Sequence, residues 1–228
     1  MRKLIALAAL LVACAGMAFA GDVATLVNLG FSADSAYFMF GFHGLDTASG
    51  KPYAEIYLVD TKKNEFVPKG SFKGMYAVDL EPGWNPAGSF YKLFSEAVSM
   101  AKSLKIDHLS QGRLLYIQAD GEAPDTLSFS DYKTADQWSV VLKEVVAGTE
   151  AVPVSSFGLE ISIATSAGKT FSLKAGNPQI KRSGVQNYTI SQILLAPDGK
   201  TVVVLVERLE KGASGTMIRY MVETFRLP

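Results

Sequence analysis

Apolar positions along this chain recur mostly every second residue, in short runs broken by Gly, Asp, Asn or Pro, the pattern of β-strands joined by turns. Residues 37–43 depart from it. Phe38, Phe40 and Phe42 would share one face and Tyr37, Met39 and His43 the other, which leaves no face for water. Such a strand is predicted to be covered on both sides. Residues 24–31 predict the strand before it, with a turn at 31–35. A loop rich in Gly, Asp, Thr and Ser (44–52) leads to a return strand over 53–60, then a polar turn at 62–64 and a short strand at 65–68. A further strand is predicted at 75–80, ended by Glu81-Pro82-Gly83-Trp84-Asn85-Pro86, which continues neither regular structure.

This hairpin has an echo near the C-terminus. ILLAPDGKTVVVLVE at 193–207, followed by IRYMVETF at 218–225, repeats its order: an aspartate turn, a run apolar on both faces, and a return strand. Asp34 and Tyr57 lie 23 residues apart, Asp198 and Tyr220 lie 22 apart, and YLVDT matches YMVET position by position. The echo lacks His43 and Asp46, so what the units share is architecture rather than chemistry.

Between the units lies one helical pattern, over about residues 89–106. Phe90, Leu93, Phe94, Ala97, Val98, Ala101 and Leu104 recur at helical spacing, and Ser89 reads as the N-cap. Lys102 and Lys105 suit the negative end of the helix dipole. The mixed polar face predicts a helix docked on a sheet rather than on a membrane surface. Strands are predicted again at 114–118, 126–130, 138–146, 157–165, 170–174, 188–195, 201–208 and 216–227. Together these predict a mainly β fold, a small propeller-like domain or a sandwich or barrel, with one packed amphipathic helix and a single domain over 21–228.

Composition adds the compartment. At 48% hydrophobic and 19% charged, the chain can build a core and is not disordered. Its first residues account for part of that hydrophobicity. Arg2 and Lys3 give a positive start, residues 4–12 are apolar, and Ala18-Phe19-Ala20 places small residues where a signal peptidase reads them. The expectation is a signal peptide over 1–20, cleaved after Ala20, and a secreted or periplasmic protein with no membrane span in the mature chain. Leu11-Val12-Ala13-Cys14 also fits a lipobox, so lipidation at Cys14 is the alternative, although residues 15–20 are unlike a polar tether. Cleavage after Ala20 would remove the one cysteine, leaving no disulfide in an oxidising compartment. It would also remove two of the 22 basic residues, leaving 20 against 22 acidic ones. No run of like charge occurs, which argues against nucleic-acid binding.

The turns Phe31-Ser32-Ala33-Asp34-Ser35 and Leu195-Ala196-Pro197-Asp198-Gly199, with Ile56-Tyr57-Leu58-Val59-Asp60 as a second strand, resemble TolB-type β-propeller repeats. In those repeats an "SPDG" turn leads to an apolar strand, a loop and an "IYVVD"-like strand. The resemblance implies blades packed face to face. In addition, NLGFSADSAYFMFG with YAEIYLVD, and NYTISQILLAPDGKTVVVLVE with IRYMVET, resemble an uncharacterised family of predicted secreted bacterial proteins represented in spirochaetes. This second resemblance implies export and a shared fold, and no activity.

Candidates for chemistry are few. The only histidines are His43 and His108, and no cysteine survives processing, so no metal and no cofactor is expected. His43 has Asp46 three residues on, but no G-x-S-x-G elbow supports a triad, and a strand-end histidine satisfied by the loop is the plainer reading. Asp79 and Glu81 would share one face of a strand, as paired carboxylates do in glycoside hydrolysis, though acids at a strand end more often form a solvated edge. Asp120, Glu122 and Asp125 surround Gly121 without the EF-hand spacing. Trp84, Tyr91, Tyr132 and Trp138 read as loop aromatics that would stack on a sugar or peptide, or else pack on a sheet edge. The expected function is an exported, non-catalytic binding or structural module of the cell envelope, whose partner is an envelope protein or glycan. The alternatives are a hydrolase of envelope polymers using Asp79, Glu81 or His43, and a lipid-anchored envelope protein. A convergent acidic cleft would favour the hydrolase; separated carboxylates beside exposed aromatics would favour the binding module.

Overall fold

The computed structural model describes residues 21–81, 84–119, 124, 126–149, 151–212 and 215–228. The expected signal segment with Cys14, and Asp120, Glu122 and Asp125, lie outside the described residues.

In chain order the strands are β1 (Asp22–Val23), β2 (Thr25–Ser32), β3 (Tyr37–Asp46), β4 (Lys51–Asp60) and β5 (Glu65–Met75). The helix α1 (Ala87–Ser103) follows, then β6 (Ile106–Asp107), β7 (Arg113–Ile117), β8 (Thr126–Ser130), β9 (Gln137–Gly148), β10 (Pro153–Ala164) and β11 (Thr170–Ala175). The last are β12 (Arg182–Ser183), β13 (Val185–Leu195), β14 (Thr201–Gly212) and β15 (Gly215–Arg226). They form three sheets. The first runs β5-β4-β3-β2-β6, the second β1-β15-β14-β13-β7, and the third β11-β10-β9-β8 with β12 on β10. Pairing is antiparallel except that β1 runs parallel to β15.

The sheets stack as a sandwich, third on second on first, and α1 covers the outer face of the first. Side-chain alternation records this order. Val202, Val204 and Val206 of β14 pack with Phe157, Leu159 and Ile161 of the third sheet. Val203 and Leu205, on the other face, pack with Phe38, Phe40 and Phe42 of the first. Met39 of β3 points the opposite way, with Ala54, Ile56 and Leu58, onto Phe90, Leu93 and Ala97 of α1. Each large side chain so buried contributes about 1.5–3 kcal/mol relative to exposure. Both β3 and β14 therefore need apolar residues on both faces, because each is an interior strand of a covered sheet. Gly41 lets the helix approach: a Cβ there would lie 2.5 Å from the Glu55 carbonyl oxygen and 2.8 Å from the Phe90 ring.

The repeated units take equivalent places in neighbouring sheets, as β2-β3-β4 and β13-β14-β15, and touch at both ends. At the turns, the Asp198 N–H donates to Ser35 Oγ at 3.2 Å. At the returns, Thr224 Oγ1 donates to the Thr61 carbonyl at 2.8 Å.

Two expectations are corrected. The helix starts after Pro86, earlier than Ser89, and Asn85 Oδ1 accepts the Ala87 N–H at 2.9 Å. Ser89 faces inward instead, its hydroxyl donating to the carbonyls of Tyr53 at 2.9 Å and Pro86 at 2.7 Å. The second correction concerns β5, which does not stop at Pro68 but continues to Met75. Lys69 adopts a positive φ of 61°, and the ladder to β4 shifts register between Tyr57 and Val59. Residues 76–81 then form no strand, so Asp79 and Glu81 have no shared strand face.

Candidate functional site

The structure separates the sequence-derived candidates. His43 is buried beneath the helix with its ring 5.6 Å from that of Phe90, and burial pulls its pKa below the ordinary value. Its Nδ1 has no hydrogen-bond partner among the described residues. Asp46 turns to Ser49 instead, accepting from the hydroxyl at 2.5 Å and the N–H at 3.0 Å. Those bonds, led by the hydroxyl, hold its carboxyl below the ordinary range. Trp138 is not a loop aromatic. It sits on the inner face of β9, 4% exposed, stacked 5.8 Å from Phe129 in the core between the second and third sheets. Tyr132 is exposed, with the Arg113 guanidinium 5.2 Å from its ring centre.

Trp84 lies at the surface just before α1, 57% exposed, whereas Tyr91 is not a loop residue but sits on the first turns of α1, 73% exposed. Beside them in the chain lies a groove of about 220 Å³ whose wall is Pro52, Tyr76, Val78, Leu80, Pro86 and Lys92. The wall is held from behind by backbone: Tyr76 N–H donates to the Pro52 carbonyl at 3.0 Å, and Val78 N–H to the Tyr76 carbonyl at 2.8 Å. Gly74 makes room for the Tyr76 ring, since a Cβ there would lie 2.6 Å from its hydroxyl. The Lys92 ammonium sits 4.7 Å from the centre of the same ring. Burial, and secondarily the charge of Glu96, push Tyr76 above its ordinary pKa. Asp79 and Glu81 are exposed and form no part of this wall. The groove can take up an apolar group and offers Lys92 at its rim for one polar contact.

A polar cluster with no warning in the sequence stands nearby. Arg219 Nη2 donates to Asp22 Oδ2 at 2.5 Å, and the Tyr53 hydroxyl donates to Asp22 Oδ1 at 2.8 Å. The Tyr53 ring lies 4.4 Å from the guanidinium carbon. Burial opposes the charge on Arg219, but the bond to Asp22, together with Tyr53 and Glu210, holds the guanidinium above its ordinary pKa. On the same side the Tyr57 hydroxyl donates to Glu55, which also pairs with Lys73 at 2.9 Å. Burial, then the Glu55 charge, push Tyr57 up to about 12. Every member of this set has a partner, so it reads as a clamp fastening β1 to β15 rather than as a reactive centre. Asp22 and Arg219 are 197 residues apart, and no local pattern announces such a pair.

Among the described residues, no three His, Cys, Asp or Glu side chains converge as a metal ion would require. Among them, too, no helix is long and apolar enough to cross a membrane.

Three stacked sheets, one covering helix and an apolar surface groove define a mainly β, sandwich-like protein. The family model described as predicted secreted protein (DUF2259) matches residues 39–226, from within β3 to the end of β15. The chain belongs to this family of predicted secreted proteins, whose function is unknown. No curated protein matches the chain.

Proposed function

We propose that the protein is a non-catalytic binding module of the cell envelope, exported by cleavage after Ala20. We propose further that it holds an apolar segment of an envelope protein in the groove at the start of α1. The observation that carries this reading is the groove's wall. Its lining is apolar except for Asn85, Ser89 and Lys92, Val78 in the wall and Trp84 next to Asn85 in the chain expose large apolar surface to water, and the two carboxylates of the alternative hydrolase reading lie outside it. Covering such surface is favourable at about 25 cal/mol per Å², the usual driving force for capture of an apolar side chain.

The test is recovery of partners from the native envelope by wild type, a Val78→Asp/Trp84→Ala variant and a Tyr132→Ala surface control. The reading requires a reproducible partner for wild type and the control, lost with the groove variant. Equal recovery by all three proteins, or no partner for any, refutes it. The turn-to-turn and return-to-return contacts support reading the repeated units as neighbouring blades of the TolB type. The cores shared on both faces of the second sheet support one domain over 21–228. An intact mass of the mature chain distinguishes a free Gly21 from a lipid on Cys14.

A further inference from the structure

The open edge of β15 forms the floor of a second cleft, of about 450 Å³, distinct from the groove at α1. β1 covers β15 only at Met217 and Ile218, while the β4–β5 turn of the first sheet and residues 177–182 of the third reach past the uncovered edge. The volume lies within the ~300–1,000 Å³ of small-molecule sites.

The lining combines three elements. Phe66 is half exposed and held flat by stacking on Tyr57, with ring centres 4.9 Å apart and 26° between planes. Glu223 is 5% exposed, yet among the described residues its carboxylate receives one side-chain hydrogen bond, from the Asn64 amide. Arg182 lines the same cleft, its guanidinium 5.6 Å from the Phe157 ring and 5.9 Å from the Tyr188 ring and one Nη donating to the Ile180 carbonyl at 3.4 Å; it forms no ion pair within 4 Å among the described residues, although its charge acts on Glu223. Burial pushes Glu223 above its ordinary pKa, against the pull of Asn64 and Arg182, so a further donor to this carboxylate would be gained rather than redundant.

The arrangement selects among ligands. Lys63 and Arg182 balance Glu65 and Glu223, so neither an anion nor a cation is favoured. Addition of a peptide strand to the β15 edge is opposed, because the Thr224 N–H it would use already donates to Asn64 Oδ1 at 2.7 Å. A neutral polyol suits both groups: its hydroxyls donate to Glu223 and accept from the N–H groups of Arg182 that the Ile180 carbonyl does not use, while its C–H face lies on Phe66. We infer that this cleft is a saccharide-binding site, with Phe66 as the stacking platform and Glu223 and Arg182 as the hydroxyl-orienting pair. Nothing in this inference depends on the groove at α1.

The experiment is calorimetric titration of the mature protein with cellotetraose, maltotetraose and tetra-N-acetylchitotetraose, with triglycine as the zwitterionic comparison. At least one tetrasaccharide should bind, Phe66→Ala should weaken it at least tenfold, and Glu223→Gln should weaken it with its melting curve checked in parallel. Arg182→Gln supplies a second test that leaves Asn64 and Glu223 in place. Val78→Asp/Trp84→Ala should leave the affinity unchanged, which separates this site from the proposed groove. No saccharide binding at millimolar concentration, binding of triglycine instead, or an affinity indifferent to Phe66→Ala overturns the inference.

Discussion

The pair of Arg113 and Asp131 offers a quantitative test of how the second and third sheets are joined. Asp131 follows β8 and is buried, and Arg113 on β7 meets it with two bonds, Nη1 to Oδ1 at 2.5 Å and Nη2 to Oδ2 at 2.7 Å. The Lys133 N–H adds a third at 2.9 Å. Led by the Arg113 bond, these hold the carboxyl at about 2, against an ordinary value of 3.8. At ~1.4 kcal/mol for each pH unit between those values, the charged carboxylate contributes about 2.5 kcal/mol to folding. The folded value is depressed, so this contribution is complete above the unfolded value and is lost as pH falls through about 2. Asp131→Asn should therefore cost at least about 2.5 kcal/mol at pH 7, rising toward ~3–5 kcal/mol as Arg113 loses its counter-charge. In a chain of this length about 2.5 kcal/mol corresponds to roughly 5–10 °C in melting temperature, and ~3–5 kcal/mol to roughly 6–20 °C. Urea unfolding of wild type and variant at neutral pH and in steps down to pH 2 provides the measurement. The gap should narrow steadily below pH 4. A gap as wide at pH 2 as at pH 7, or none at pH 7, would show that the ion pair does not fasten these sheets.

Three further outcomes are expected. Arg219→Met strands the buried Asp22 carboxylate and should cost ~3–5 kcal/mol, with Asp22→Asn/Arg219→Met regaining part of the loss in chemical denaturation. A single variant within 1 kcal/mol of wild type would remove the clamp from the account. Trp138→Ala should cost ~3–5 kcal/mol while Trp84→Ala stays within ~0.5 kcal/mol, and thermal melts in parallel compare a core aromatic with a surface one. Gly41→Ala forces Phe90 off the sheet and should cost ~1–3 kcal/mol, with faster amide exchange in α1 than in β14; unchanged exchange in α1 would contradict the close helix approach.

Much of this fold was legible because the two interior strands advertise themselves. The uninterrupted apolar run around Phe40 and its echo around Val204 could be satisfied only in sheets covered on both faces, and the helical stripe from Phe90 to Ala101 needed a sheet to cover. The stacking order was not legible, since nothing local in Phe40 specifies that its cover is Leu205 rather than α1. Local grammar misled at two points. Pro68 reads as a strand end, but the positive φ at Lys69 carries β5 past it, and Ser89 reads as a cap although its hydroxyl serves Tyr53. The site candidates divided along the same line. Trp84, Tyr91, Tyr132 and Trp138 all read as loop aromatics, but Tyr91 lies on the exposed side of α1 and Trp138 within β9, where strand alternation turns it into the core. The Asp22–Arg219 clamp and the Phe66–Glu223 cleft depend on long-range pairing, and the sequence marks Glu223 only as the acidic member of a repeated return strand.

The central claim, that the groove at the start of α1 holds an envelope partner, is tested most directly by site-specific photo-crosslinking in the intact envelope. A benzophenone side chain would replace Val78 or Trp84 in the groove region, and Tyr132 on a distant exposed surface. A discrete protein adduct is expected from positions 78 and 84 and none from position 132. The same adduct from all three positions, or no adduct from 78 and 84, would contradict it.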